Sequence, residues 1–135
     1  MPLVSRAFVL TGLLHLMLAM VIGIVLVLAA VGAPVPPLPY PVYVHLLGVG
    51  WLTQLIFGVA YWMFPGRTRQ PSWAELSVLW SVYGLLNAGL VLRAGAESML
   101  GRPGHWPELL VFSAVAQLLA VLGFVWHLWR RVARR

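Results

Sequence analysis

The sequence contains four histidines and no cysteine, so imidazole is its main candidate ligand for a metal. His45 raises the sharpest question, because it lies in the apolar run 42–64, where an ionisable side chain is costly without a partner. A hydrogen bond to a backbone carbonyl is one such partner, and a bound metal is another. No carboxylate stands beside His45 in the sequence, so a zinc site built only from protein ligands is not expected.

Heme fits the surroundings of His45 better than a bare ion. Heme needs only one or two axial histidines and an apolar slot lined by small and aromatic residues. Covalent attachment of a c-type heme requires cysteine, so the expected cofactor is heme b. The predicted heme-binding residues are Tyr43, His45, Gly48, Trp51 and Leu52.

No second histidine is expected at the depth of His45. At 1.5 Å per helical residue, His15 should lie roughly 15–20 Å deeper in the membrane, too far to share one iron with His45. His127 is expected near the depth of His15, which leaves a His15–His127 pair open, although its neighbours favour an interfacial role. His105 precedes the last apolar run and would reach His45 only if its loop folded inward.

Three amide side chains, Gln54, Asn87 and Gln117, lie near the middle of apolar runs. The simplest interpretation is hydrogen bonding between helices in the bundle core, worth about 0.6 kcal/mol each. A polar path for protons or a small solute is the alternative, although three amides without a carboxylate make a poor proton relay. On a helical wheel His45 is half a turn from Gln54, so His45 is expected to face a neighbouring molecule or a bound group.

Four apolar runs must position these residues. With 61% hydrophobic residues and a mean hydropathy of +0.91, the chain is far more apolar than a soluble domain. Each run exceeds the roughly 20 residues that cross a bilayer as a helix. The predicted fold is all-α: an integral membrane up-down four-helix bundle forming a single domain, residues 1–135. The predicted helices span residues 7–33, 42–64, 73–95 and 107–129.

The distribution of charge predicts the orientation. Arginines concentrate at the N-terminus, in the second loop and at the C-terminus, whereas Arg93 and Arg102 in the third loop are balanced by Glu97 and Glu108. By the positive-inside rule both termini are expected in the cytoplasm, in the inner (cytoplasmic) membrane of the cell. The arginines are expected to contact lipid headgroups, and the formal charge of +6 does not indicate a nucleic-acid partner. The topology-setting arginines are Arg6, Arg67, Arg69, Arg130, Arg131, Arg134 and Arg135.

The run around His45 resembles a known helix. His45 followed by Gly50-Trp51, Gly58, Tyr61-Trp62 and Pro65 is similar to the heme-ligating second helix of heme-copper oxidase and nitric oxide reductase catalytic subunits. It also looks like related membrane proteins with a His-x-His-x4-Gly-Trp pattern. Where those proteins have His-x-His, this chain has Tyr43-Val44-His45, so the first histidine is replaced. The resemblance extends over residues 42–66.

This resemblance implies an architecture. The oxidase subunits arrange twelve helices as three four-helix arcs, and this chain is similar to one arc. The resemblance therefore implies a homo-oligomer, a dimer or a trimer, in which His45 residues of different copies lie at equal depth.

Two functions follow as hypotheses. The first is a heme-b-binding membrane protein that transfers electrons to or from a redox partner or binds a diatomic gas. The alternative is a cofactor-free accessory or scaffold subunit of a larger membrane complex. No catalytic residue is predicted, because no carboxylate and no nucleophile–base pair are expected within the spans, so the chain is not expected to be a complete enzyme alone. A small transporter or channel would depend only on the three amides.

Overall fold

The computed structural model describes residues 1–64 and 72–133, and in that part of the chain it is all-helical, without strands. All four helices are long and apolar enough to cross a membrane, as the sequence predicts. Their outer surfaces suit lipid as the solvent, since the share of each apolar stretch that is buried inside the protein ranges only from 11% in the first helix to 33% in the second. The helices are α1 (Leu3–Ala30), α2 (Tyr40–Met63), α3 (Trp73–Ser98) and α4 (Trp106–Val132).

The helix boundaries differ from the predicted ones in two informative places. Helix α1 begins at Leu3 rather than residue 7, because a backbone hydrogen bond from Arg6 to the Pro2 carbonyl continues the helix toward the N-terminus. Helix α3 runs past Gly95 to Ser98, so Glu97, which the predicted boundaries left in the third loop, lies on the same helix as Arg93. The expectation that no carboxylate lies in the spans is wrong, because Glu75 and Glu97 lie on α3 and Glu108 lies on α4.

Several predicted features fall on residues outside the described part of the chain. These are the topology-setting arginines of the second loop and the extreme C-terminus, and the residues that end the run around His45. They are Pro65, Gly66, Arg67, Arg69, Arg134 and Arg135.

Helix α2 is not a uniform α-helix. It is α-helical over Tyr40–His45, π-helical over Leu46–Thr53 and α-helical again over Gln54–Met63. In a π-helix each amide bonds the carbonyl five residues back instead of four, so a wheel drawn at the α-helical angle no longer gives the side-chain directions. The expected half-turn between His45 and Gln54 rested on that wheel and no longer follows from it; the Nδ1 edge of the His45 ring lies beside α3, 3.6 Å from Glu97. That His45 faces a neighbouring molecule or a bound group stays a prediction.

Glycines bring α1 and α2 into close, antiparallel contact. A methyl group on Gly58 would lie 2.9 Å from the carbonyl oxygen of Ser5, and one on Gly23 would lie 3.0 Å from the Tyr43 ring. Such small residues let membrane helices approach closely enough for dispersion contacts between backbones. Helices α3 and α4 pack in the same manner, with Gly89 against the Ser113 carbonyl.

An aromatic cluster joins the two helix pairs. Phe57 of α2 stacks on Phe124 of α4 with ring centroids 3.8 Å apart, while Phe8 of α1 meets Phe57 edge-on. Leu79 and Leu86 of α3 are fully buried in the same core. This core holds the four helices in one bundle and fixes the level at which the polar side chains meet.

Candidate functional site

A hydrogen-bonded chain of polar side chains crosses the bundle interior. Gln54 of α2, fully buried, places Nε2 3.1 Å from Nδ1 of His15 on α1 and 2.9 Å from Oδ1 of Asn87 on α3. Asn87 in turn donates from Nδ2 to the Tyr83 carbonyl at 2.8 Å. Three helices are thus joined through Gln54.

The donor and acceptor roles in this hydrogen-bonded chain follow from the Tyr83 carbonyl, which can only accept. Asn87 must therefore point Nδ2 at Tyr83 and Oδ1 at Gln54, and Gln54 must supply its Nε2 donor. Because Nε2 carries two hydrogens, its second one goes to Nδ1 of His15. Only this assignment gives every close pair one donor and one acceptor.

The hydrogen-bonded chain of side chains determines the protonation state and the tautomer of His15. Its Nδ1 accepts from Gln54, so the ring is neutral and carries its proton on Nε2. A second proton, on Nδ1, would place two hydrogen-bond donors against each other within a buried network. The Nε2 atom already carries a proton, so it has no lone pair with which to bind a metal. This geometry does not suit His15 as an axial ligand or as a proton carrier.

His15 also lies closer to the level of His45 than the sequence predicts. It contacts Gly50, only five residues after His45, so the two levels differ by roughly 8 Å at the α-helical rise rather than 15–20 Å. The early start of α1 accounts for part of the difference. His127 lies instead beside Tyr61, with ring centroids 6.0 Å apart. Gly50 and Tyr61 are separated by roughly 16 Å along α2, so no His15–His127 pair forms.

The amides do not all join the chain. Gln117 of α4 packs its Cγ against Gly89, and its buried Nε2 has no hydrogen-bond partner in the described part of the protein. A separate bond links Thr11 Oγ1 of α1 to the Tyr83 hydroxyl of α3 at 2.7 Å. Polar contact in the core therefore concentrates on α1, α2 and α3.

His45 has a defined tautomer. Its Nδ1 lies 2.8 Å from the Pro41 carbonyl oxygen, an acceptor, so the proton of the neutral ring is on Nδ1 and the lone pair is on Nε2. The side chain is partly exposed, at 26% of its reference area. This is the opposite tautomer from that of His15, and it leaves the nitrogen that usually ligates a metal unprotonated.

A carboxylate that the sequence placed in a loop stands beside His45. Glu97 of α3 has an Oε1 3.6 Å from Nδ1 of His45 and 2.9 Å from Nε of Arg93. The Glu97 side chain is 5% exposed. The i,i+4 spacing of Arg93 and Glu97 is the sequence signal that could have revealed the longer helix.

The other residues predicted to bind heme do not all lie on the same surface as one another. Gly48 and Leu52 are exposed on the outer surface of α2, and a methyl group on Gly48 would meet nothing within 4 Å. Tyr43 instead packs against Gly23 of α1. Trp51 is half-buried, and its indole Nε1 is buried without a hydrogen-bond partner among the described residues.

A second polar cluster occupies the opposite end of the bundle. Arg131 of α4 pairs with Glu75 of α3 and donates to the Phe64 carbonyl at 3.0 Å, where α2 ends. Its guanidinium also lies over the Tyr61 ring, 4.2 Å from the centroid. His127 Nε2 is 3.4 Å from Glu75 Oε1 but lacks hydrogen-bond geometry. These contacts hold α2, α3 and α4 together at this end of the bundle.

The remaining histidine is on the surface. His105 is exposed before α4 and lies 3.4 Å from Glu108 Oε1. In the described residues no three histidine or acidic side chains are grouped as a metal site.

Comparison with protein-family models, with curated proteins and with solved structures finds no match to this chain. The geometry around His45 is therefore the feature from which a function can be inferred.

Proposed function

We propose that this chain is a heme-b-binding integral membrane protein and that His45 is an axial ligand of the heme. The observation that carries the proposal is the hydrogen bond from His45 Nδ1 to the Pro41 carbonyl. Histidines that bind metals nearly always donate their other ring N–H to a carbonyl or carboxylate, which fixes the tautomer and orients the ring. When bound, heme b would supply one-electron redox chemistry or a site for a diatomic gas.

In this proposal the flat, apolar heme lies on the outer surface of α2, where Gly48 and Leu52 are exposed. Gly48 has no side chain and open space in front of it, and Leu52 is 51% exposed on the same helix. A heme bound against these residues would replace lipid at the surface of α2 and would leave the packing of the bundle core unchanged. Tyr43 is turned toward α1, so we assign it no direct contact with the heme.

A second axial ligand would come from a second copy of the chain. His15 is engaged by Gln54, His127 lies beside Glu75, and His105 is exposed next to Glu108. In a dimer or trimer around an axis normal to the membrane, His45 residues of different copies stand at equal depth.

The position of the arginines supports an up-down bundle in the inner membrane with both termini in the cytoplasm.

An absorption spectrum of the detergent-purified protein, oxidised and then reduced with dithionite, tests the proposal. We expect a Soret band in stoichiometric amount and an α-band on reduction. His45→Ala should abolish both, and His105→Ala, which alters an exposed histidine, should leave them unchanged. A flat wild-type spectrum after heme supplementation would refute heme binding, and an unchanged spectrum of His45→Ala would refute the assigned ligand.

A cofactor-free accessory subunit is the second candidate. The Pro41 carbonyl satisfies the His45 N–H with or without a metal, which is the observation that favours this candidate. It predicts colourless protein that copurifies with a stoichiometric membrane partner, and only a small effect of His45→Ala on that association.

A further inference from the structure

Glu97 occupies a position that is unfavourable for a carboxylate in three respects. It lies in the last turn of α3, one residue before the helix ends at Ser98, where the partial negative charge of the helix dipole repels an anion. Its side chain is buried to 5% exposure. Its Oε2 is buried without a hydrogen-bond partner among the described residues. A buried anion with one unsatisfied oxygen costs free energy unless nearby charges offset the loss of hydration.

Two groups lie close enough to offset this cost. Arg93 donates from Nε to Glu97 Oε1 at 2.9 Å, and His45 Nδ1 is 3.6 Å from the same oxygen. Arg93 is the one charged group of the described residues within ion-pair distance of Glu97, since the His45 ring is neutral and offers only the dipole of its Nδ1–H. Arg93 is on the same helix and could pair with Glu97 in solvent, so it does not explain why the carboxylate turns into the protein. His45 is on a different helix, α2, and its Nδ1 is within 3.6 Å of the Glu97 carboxylate.

We propose that Glu97 is a positioning residue for His45 that tunes the reduction potential of the heme. This inference rests on the proposed function, because it assumes that His45 is an axial ligand. The Pro41 carbonyl fixes the orientation of the ring, and Glu97 adds a negative charge on the side of the ring that carries the proton. A negative charge there strengthens the imidazole as a donor and stabilises the more positive, oxidised iron. In a poorly hydrated site the effect is larger than the same charge would produce in water.

Redox titration of the purified protein tests this role at one neutral pH. Glu97→Gln keeps the size of the side chain and removes its charge, so we expect an intact Soret band and a higher midpoint potential than in the wild type. Glu97→Asp keeps the charge but moves it back from His45, so we expect a smaller shift in the same direction. Glu108→Gln, which removes an exposed carboxylate beside His105, is the matched control and should leave the potential unchanged.

The outcomes separate this inference from the proposed function. A wild-type protein without a Soret band refutes the proposed function and this inference with it. A Soret band whose midpoint potential is the same in Glu97→Gln and the wild type refutes the inference alone. If Glu97→Gln does not fold, as judged by circular dichroism, the Glu97→Asp potential decides: a raised value supports the role and an unchanged value overturns it.

Discussion

His15 of α1 lies directly on Gly50 of α2, so closely that a methyl group on Gly50 would stand 2.9 Å from both Cβ and Cγ of the histidine. The same methyl group would lie 3.0 Å from Leu90 of α3. Three helices therefore meet at one glycine, and their proximity places the imidazole within reach of Gln54. The hydrogen-bonded chain of the core depends on this contact.

Gly50→Ala should destabilise the bundle by about 1–3 kcal/mol, the usual cost of adding a methyl group to a packed core. The contacted atoms of His15 are close to its backbone and have little freedom to move. Gly48→Ala is the matched control in the same π-helical segment, because its methyl group meets nothing within 4 Å. Thermal unfolding in detergent should show a lower midpoint for Gly50→Ala only, and equal midpoints for the two variants would contradict the close contact.

Gln54→Leu should cost about 1–3 kcal/mol, since it leaves two buried acceptors, His15 Nδ1 and Asn87 Oδ1, without a donor. Gln117→Leu removes a buried donor that has no partner in the described structure, so it should be neutral or stabilising. Chemical unfolding of the two variants measures the difference. A larger loss for Gln117→Leu would show that the polar core is centred on α4 rather than on α2.

Thr11 and Tyr83 should be energetically coupled through their 2.7 Å hydrogen bond. A double-mutant cycle with Thr11→Val and Tyr83→Phe isolates this bond, because each substitution removes one partner and keeps most of the side-chain shape. We expect a coupling energy of about 0.5–1.5 kcal/mol in unfolding experiments. Strictly additive single effects would mean that the bond contributes nothing to the α1–α3 contact.

Arg131→Ala should destabilise the protein by about 2–4 kcal/mol, because it leaves Glu75 partly buried without its cation and removes a donor to the Phe64 carbonyl. Arg130→Ala, an adjacent and exposed arginine, is the control and should change stability little. Thermal unfolding in detergent of both variants tests the assignment. Similar losses in the two would indicate a general effect of charge at this end of the bundle.

The number and approximate span of the helices could be predicted from the sequence, because they depend only on local hydrophobicity. Each apolar run exceeds the length of a bilayer crossing, and within a bilayer a helix is one of the few structures that satisfies every backbone hydrogen bond. The amides Gln54 and Asn87 could be expected in the core for the same reason, since lipid is a poor partner for them. His45 could be singled out because it is an ionisable residue in an apolar run.

Which of these residues meet was decided only by the tertiary structure. The π-helical segment Leu46–Thr53 rotates the side chains of α2, so a regular wheel misplaces His45 relative to Gln54. The continuation of α3 to Ser98 brings Glu97 to His45 although the two are more than fifty residues apart in sequence. The opposite tautomers of His15 and His45 follow from their hydrogen-bond partners, Gln54 and the Pro41 carbonyl. Hydropathy determines what enters the membrane, whereas helix register and hydrogen-bond geometry determine what each polar group contacts there.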